Sequence, residues 1–508
     1  ALSDLSDDEI LGRFLSAELP GRVYQDFYAF LAVSRNHPIA VRSSSKLEDS
    51  HYQPFAGIYS TYMIPRHPDN HVMVRMISDA IREVYASVYY KASKAYMTAT
   101  ANVIDEEKMG IILQEVCGNR HGDIFYPTLS GVAQSINYYP IGSEKAEDGI
   151  ANIAFGLGKL IVEGGISLRF SPKHYKKILQ LSSVEAALRD TQREFRALDL
   201  KVDSFVPSTD DGVNILRLGI NDVSNDAAMK YVASTYDYNN NILRDGISIS
   251  GKRVITFSNV LQHKLFPLAD ILSTLLELGQ KEMNNPIEIE FAANLETPPG
   301  TPRIFNFLQI RPVVHSEETS AINLGNVQKS DTLVYSESAL GNGVFRGISD
   351  VVYIKPDSFN PARNKDTASD IERINNEFVK NGAGYVLIGP GRWGSTDPWL
   401  GIPVRWPQIS AARIIIESGL KNYRIDPSQG THFFQNLTSF RIGYFTINPY
   451  INEGFYDVEF LNRMKAAYED ENLRHIRFDN PLEIMVDGKT HRGVILKPKI
   501  SSRDGAGV

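Results

Sequence analysis

The chain has 508 residues, 43% hydrophobic and 22% charged, with a formal net charge of −7, the balance of a globular protein of roughly two to four domains at about 100–200 residues each. The acidic balance and the lack of a long basic run argue against nucleic acid as a partner, and no stretch approaches the roughly 20 apolar residues of a membrane span. The single cysteine, Cys117, excludes an internal disulfide framework and fits a reducing, cytoplasmic setting.

The opening ALSDLSDDEILGRF starts with Ala rather than Met and is acidic and amphipathic. It reads as part of a fragment or processed product, not as a secretion signal. A Ser-Asp-Asp start and helically spaced apolar residues predict one or two short helices before residue 36. PIAV, ending at Val41, reads as a buried strand. Residues 72–97 predict one helix with Ile77, Ile81, Val84, Tyr85 and Val88 on its buried face. MGIILQEV (109–116) is a strand, YPTLSGVAQSINYYP a strand broken at Ser130-Gly131, and GIANIAFGLGKLIVEGG (149–165) an apolar run punctuated by glycine.

Residues 176–230 read as mostly connecting, with a helical stretch near 183–197. KRVITFS is a strand. PLADILSTLLELGQKEM is a helix with Leu268, Ile271, Leu272, Leu275 and Leu276 on one side. PIEIEFAAN and RIFNFLQIRPV are two alternating strands about a LETPPGTP turn. Beyond a polar stretch ending near residue 332, strand and helix patterns resume: DVVYIKP, a helix at 367–380, GYVLIGPGRWG, SAARIIIES, SFRIGYFTINP and GVILKPKI.

Arg42, Ser43 and further hydroxyls follow the PIAV strand. Arginine offers a planar fork of donors that suits phosphate oxygens. The competing reading is a salt-bridged arginine beside a serine-capped helix. PIEIEF sets Glu288 and Glu290 two apart, on one face of a strand, and FLQIRPV does the same for Gln309 and Arg311. Two acids, an amide and a guanidinium suit a Mg²⁺–phosphate site, because Mg²⁺ takes oxygen ligands from one or two carboxylates plus substrate phosphates. The alternative is cross-strand Glu–Arg pairing on a solvated sheet. SGVAQS and FGLGKLIVEGG add small residues where a backbone can approach a phosphate.

In this order AVRSS, ILQEV, SGVAQS, FGLGKLIVEGG and IEIEF…FLQIRPV resemble the ATP-grasp nucleotide-binding domain of the phosphoenolpyruvate synthase and pyruvate, phosphate dikinase family, over about residues 36–315. The resemblance implies transfer of the β-phosphoryl group of ATP to a histidine, which a mobile domain carries to a second site. It implies that Arg42, with Ser43, contacts the ATP phosphates, that Glu290 and Gln309 hold Mg²⁺, and that Glu288 lies near the ribose or the metal. Arg311 would lie against the transferring phosphoryl group, and Gln114 and Glu115 would face the adenine.

The chain departs from that pattern in places. The family's glycine-and-lysine segment ahead of AVRSS is missing, and the first lysine is Lys46. Lys159 follows GLG where the family usually has Glu. No Gly-rich Thr-Ser-His carrier segment is found. The comparable histidine is His432 in PSQGTHFFQN, either a phosphoryl-carrying imidazole exposed on a turn or a histidine hydrogen-bonded beside Phe433 and Phe434. GPGRWGSTDPW is either an anion-binding turn or ligand anchor through Arg392 and Trp393, or a structural turn with Trp in the core. About 170 residues after the linker are too few for a pyruvate-binding barrel of roughly 250.

The expectation is therefore an α/β (α+β) protein: an ATP-grasp domain over 1–315, a linker over 316–332, and a smaller α/β domain over 333–508 resembling a diverged swivelling phosphohistidine domain. Its expected activity is an ATP- and Mg²⁺-dependent phosphotransferase acting on a histidine or small acceptor, with Arg311, Arg42 and His432 as candidate catalytic residues. A nucleotide sensor or scaffold that keeps the fold without catalysis is the alternative, and a carbon–nitrogen ligase a third. Expected partners are a nucleotide and an unidentified phosphoryl acceptor, with an upstream domain and a second copy of the chain as candidates, and no nucleic acid or membrane.

Overall fold

The structure is a computed structural model that describes residues 5–48, 57–99, 107–224, 226–247, 250–313, 324, 328–341, 343–397, 399–419, 431–439, 442–488 and 490–498. The chain divides into two compact units, Ala1–Val162 with Ile166–Val313, and Glu163–Gly165 with Val314–Val508. Most of the expected 316–332 linker lies outside the described residues. Among the described residues no helix is long and apolar enough to cross a membrane.

The first unit begins with helices Asp7–Leu15 and Gly21–Val33. Ser6 caps the first of them in a reciprocal box with Glu9, which satisfies backbone donors that a helix start leaves open. A three-stranded antiparallel sheet follows, with Ile39–Ser45 between Thr61–Ile64 and Met109–Glu115. Ile39, Val41, Tyr62 and Ile64 bury their side chains against Met73, Ile77 and Val84 of the helix Asn70–Ser87. The single helix expected at 72–97 is two, Asn70–Ser87 and Lys91–Ala99. Tyr85 lies outward at 36% exposure: helical spacing places it beside the stripe, and packing decides the edge of the stripe.

The unit also holds a five-stranded antiparallel sheet, in the order Ile304–Pro312, Ile287–Asn294, Leu129–Gln134, Ile150–Ala154, Leu168–Phe170. Leu268, Leu272 and Leu276 of the helix Leu268–Met283 share one apolar cluster with Ile287, Ile289 and Phe291. Ser130-Gly131 does not break its strand. Gly131 sits opposite Phe291, and a Cβ there would lie 2.2 Å from the Phe291 ring. The glycine is the space that the ring fills. The expected helix near 183–197 ends at Asp190, and Glu194–Asp199 is a strand paired with Ile215–Gly219. Phe195, Ala197 and Leu198 are fully buried there.

The second unit holds a seven-stranded sheet ordered Ser338–Leu340, Gly443–Ile447, Ala412–Ser418, Tyr385–Pro390, Asp350–Ile354, Leu473–Arg477, Ala466–Glu469. Its central strands run parallel. The helix Asn364–Asn381 connects two of them, the crossover that parallel neighbours require. Trp393 is 1% exposed, stacks on the bare face of Gly389 and donates its indole N–H to the Ile416 carbonyl at 3.0 Å. It serves as core there, not as an exposed anchor. His432 is the first residue of the helix His432–Ser439 in this unit.

Candidate functional site

The two strands Ile287–Asn294 and Ile304–Pro312 pair so that Glu288 faces Arg311 and Glu290 faces Gln309. Strand alternation turns all four side chains to one face. Arg311 donates to Glu288 Oε1 from Nε at 3.0 Å and from Nη2 at 2.9 Å, and to Glu290 Oε1 at 3.3 Å. Burial opposes its charge, but the carboxylates of Glu288 and Glu290 outweigh that and hold its pKa above the ordinary arginine value. Glu288, at 1% exposure, also accepts the Gln134 amide at 2.7 Å.

Arg42 reaches the same face from the three-stranded sheet that holds Ile39–Ser45. Its Nη2 donates to Gln309 Oε1 at 2.7 Å and Glu290 Oε2 at 3.4 Å, and its Nη1 to Gln114 Oε1 at 3.1 Å. The structure thus gathers Arg42, Gln114, Glu288, Glu290, Gln309 and Arg311 into one network. Ser43 instead donates to Glu48 Oε1 at 2.8 Å. The Glu115 carboxylate accepts the backbone N–H of Arg35. Lys159 is ion-paired with Asp211 at 2.7 Å. Gln134 escaped the sequence reading, which weighed SGVAQS for its small residues. Its place two residues beyond Val132 on the same alternation was the available signal.

Glu290 and Gln309 offer oxygen atoms of the type that Mg²⁺ takes as ligands. A carboxylate and an amide oxygen converge on one cation position, taken by the Arg42 guanidinium, and a hard cation draws its other ligands from phosphate and water. Among the described residues no group of three or more His, Cys, Asp or Glu is placed to hold a metal, so phosphates would have to complete such a shell.

At Gln114 the network adjoins a cavity of about 670 Å³, lined by Glu115, Cys117, Asn119, Glu296 and Phe307 among others. Met109–Glu115 is an edge strand. The Val116 N–H bonds the Pro38 carbonyl at 2.8 Å, which fixes the phase of the ladder. Gln114 therefore directs its peptide groups to the Ile39 strand, and Glu115 directs its own to the open edge. That edge offers a donor and an acceptor beside the cavity.

On the opposite wall, Leu308 is an extra residue in the pairing, because Glu290 faces Gln309 while Phe291 faces Phe307. The bulge brings Asn306, opposite Ala292, onto the face that carries Gln309 and Arg311. One ribbon face thus runs from the charged network at Glu290 to Asn294, about 13 Å away at roughly 3.3 Å per residue.

The charged network and the cavity thus meet at Gln114, with the open strand edge at Glu115 beside them. The chain belongs to the family described as pyruvate phosphate dikinase, AMP/ATP-binding domain, which residues 4–331 match. A relative is the protein named uncharacterized phosphotransferase YvkC of Bacillus subtilis (strain 168), 28% identical over 158 residues. That match covers 31% of this chain and 17% of the relative's length.

Proposed function

We propose that the first unit is an ATP-grasp domain that binds ATP with Mg²⁺ and passes a phosphoryl group to a histidine or a small acceptor, in the manner of phosphoenolpyruvate synthase and pyruvate, phosphate dikinase. The observation that carries this reading is the arginine–carboxylate network opening at Gln114 into the cavity. The base lies in the cavity against the Glu115 strand edge, and the phosphates lie over the network. Mg²⁺ held by Glu290 and Gln309 would neutralise charge on the phosphate oxygens. Arg42 exchanges its bonds to those two side chains for bonds to phosphate, while Arg311, fixed by Glu288, faces the transferring group. As the acceptor atom bonds to phosphorus and the bridging P–O bond breaks, charge grows on the leaving phosphate, where fixed cations lower the barrier.

The second unit is read as a diverged swivelling domain with His432 as its candidate carrier, and the protein as cytoplasmic. Calorimetric titration with Mg·ATP tests the site. Binding that falls at least about tenfold in Arg42→Gln is expected from the loss of charge-assisted bonds. Label from β-labelled ATP that is acid-labile and base-stable would support transfer to histidine, and label unchanged in His432→Ala would remove His432 from the mechanism. The sensor reading rests on Lys159, whose amine is engaged by Asp211. Binding of Mg·ATP without AMP or ADP formation would favour it.

A further inference from the structure

The end of the cavity away from the phosphate network is built from segments far apart in sequence. The backbone at 294–296 is held on three sides: Asn294 donates to the Gly118 carbonyl at 3.2 Å, the Leu295 N–H to Thr128 Oγ1 at 3.0 Å, and Asn119 to the Glu296 carbonyl at 3.1 Å. Gly118 has no room for a side chain, since a Cβ would lie 2.6 Å from the Phe125 ring and 2.7 Å from the Tyr126 backbone. Glu296 is therefore fixed in position relative to residues 117–119, which lead on from the strand edge.

Glu296 lines the cavity, and its side chain is 15% exposed. Its Oε1 is buried, has no hydrogen-bond partner, and faces His121 Nε2 at 3.7 Å, a nitrogen that is also unpartnered. His121 stacks on Tyr126 at 4.1 Å between ring centroids, and its Nδ1 faces Asp226 at 3.6 Å. Tyr126 donates to the Asp226 carboxylate. The imidazole is thus wedged between two carboxylates, and burial lowers its pKa against the opposing pull of Asp226. A neutral imidazole leaves the Glu296 carboxylate without a full counter-charge from that side.

We propose that Glu296 is a specificity-determining residue, whose carboxylate accepts a hydrogen bond from the exocyclic amino group of the base and so selects a 6-aminopurine nucleotide over its 6-oxo counterpart. This rests on the nucleotide reading of the cavity. The strand edge at Glu115 presents alternating donors and acceptors, which many base edges can satisfy by shifting along it. A fixed carboxylate differs: ionised, it is acceptor-only, so an amino group satisfies it while a carbonyl oxygen sets two lone-pair-bearing atoms against each other. His121 acts as a positioning residue behind it.

Protonation gives the inference a second readout. Burial pushes the Glu296 carboxyl up to about 7, with Asp226 adding to the rise and Lys230 opposing it. The charged and titratable groups about it are His121, Asp226, Lys230 and Tyr126. Protonated Glu296 becomes a donor and can meet a 6-oxo group. Discrimination should therefore be strong at alkaline pH and weaken as the pH falls through about 7.

The test is calorimetric titration of the 508-residue chain and of Glu296→Gln with Mg·ATP and Mg·ITP, at pH 6 and pH 8.5. For the unsubstituted chain at pH 8.5, ATP should bind about 10- to 100-fold more tightly than ITP, the worth of one hydrogen bond to a charged group. The preference should shrink at pH 6. Glu296→Gln, whose amide can donate or accept, should bring the two ligands within a few-fold of each other at both pH values. Equal affinities in the unsubstituted chain at pH 8.5, or a full ATP preference kept by Glu296→Gln, would overturn the inference and leave the nucleotide reading standing. No binding of either nucleotide by the unsubstituted chain would refute both.

Discussion

Replacing Arg311 by alanine takes a shared cation from two carboxylates. Glu288, 1% exposed, loses bonds of 3.0 and 2.9 Å, and Glu290 loses one of 3.3 Å. The Gln134 amide stays on Glu288, but it is neutral. Removing one partner of a buried ion pair typically costs about 3–5 kcal/mol, because the other charge is left uncompensated in a poorly solvated place. The variant should therefore lose two to three orders of magnitude in hydrogen-exchange protection along Ile287–Asn294, at about 1.4 kcal/mol per factor of ten. Replacing both Glu288 and Arg311 by methionine should recover most of the loss. A deficit below about 1 kcal/mol, or one that the double methionine variant does not reduce, would refute this account of a buried, interdependent pair. The same reasoning makes Arg42→Gln the better probe of nucleotide contacts, since Arg42 is the more exposed arginine, at 21% against 13%.

Other outcomes follow from the packing. Glu83 is fully buried and accepts the Ser208 N–H at 2.8 Å, and burial pushes its pKa up to about 8, with that hydrogen bond opposing. Its protonated form belongs to the fold, so the associated stability is complete below the unfolded carboxyl range and is lost as pH rises through about 8. Urea midpoints at pH 6 and 8.5 should fall less for Glu83→Gln than for the parent. Gly131→Ala should cost about 1–3 kcal/mol by overpacking against Phe291, and adding Phe291→Leu should relieve part of it in the same assay. Of the three tryptophans, Trp399 is 73% exposed while Trp393 and Trp406 are 1% and 5% exposed. Iodide should quench the parent's fluorescence chiefly through Trp399, and Trp399→Phe should remove that component.

Where function rests on local periodicity, the sequence carried it. A strand has a period of two, so IEIEF and LQIRP alone put Glu288 with Glu290 and Gln309 with Arg311. A helical period likewise marked Leu268, Leu272 and Leu276 as a buried stripe. The 194–199 strand reads instead as part of a helical stretch, because EFRALD follows a helical pattern closely enough to look like its continuation, and its pairing with Ile215–Gly219 and with Ile124 and Phe125 decides otherwise.

The tertiary structure decided what no period encodes. Arg42 meets Glu290 and Gln309 across more than 200 residues because two sheets of one unit pack their polar faces together. Leu308 shifts the register, so Asn306 joins a face that strict alternation would have denied it. His121, Asp226 and Glu296 come from three separate segments, and the geometry that wedges the imidazole between two acids exists only once Tyr126 and Gly118 have packed. Periodicity is set by the local backbone and can be read along the chain. Contacts between distant segments are set by which surfaces fill each other's space, and that is determined only in the folded whole.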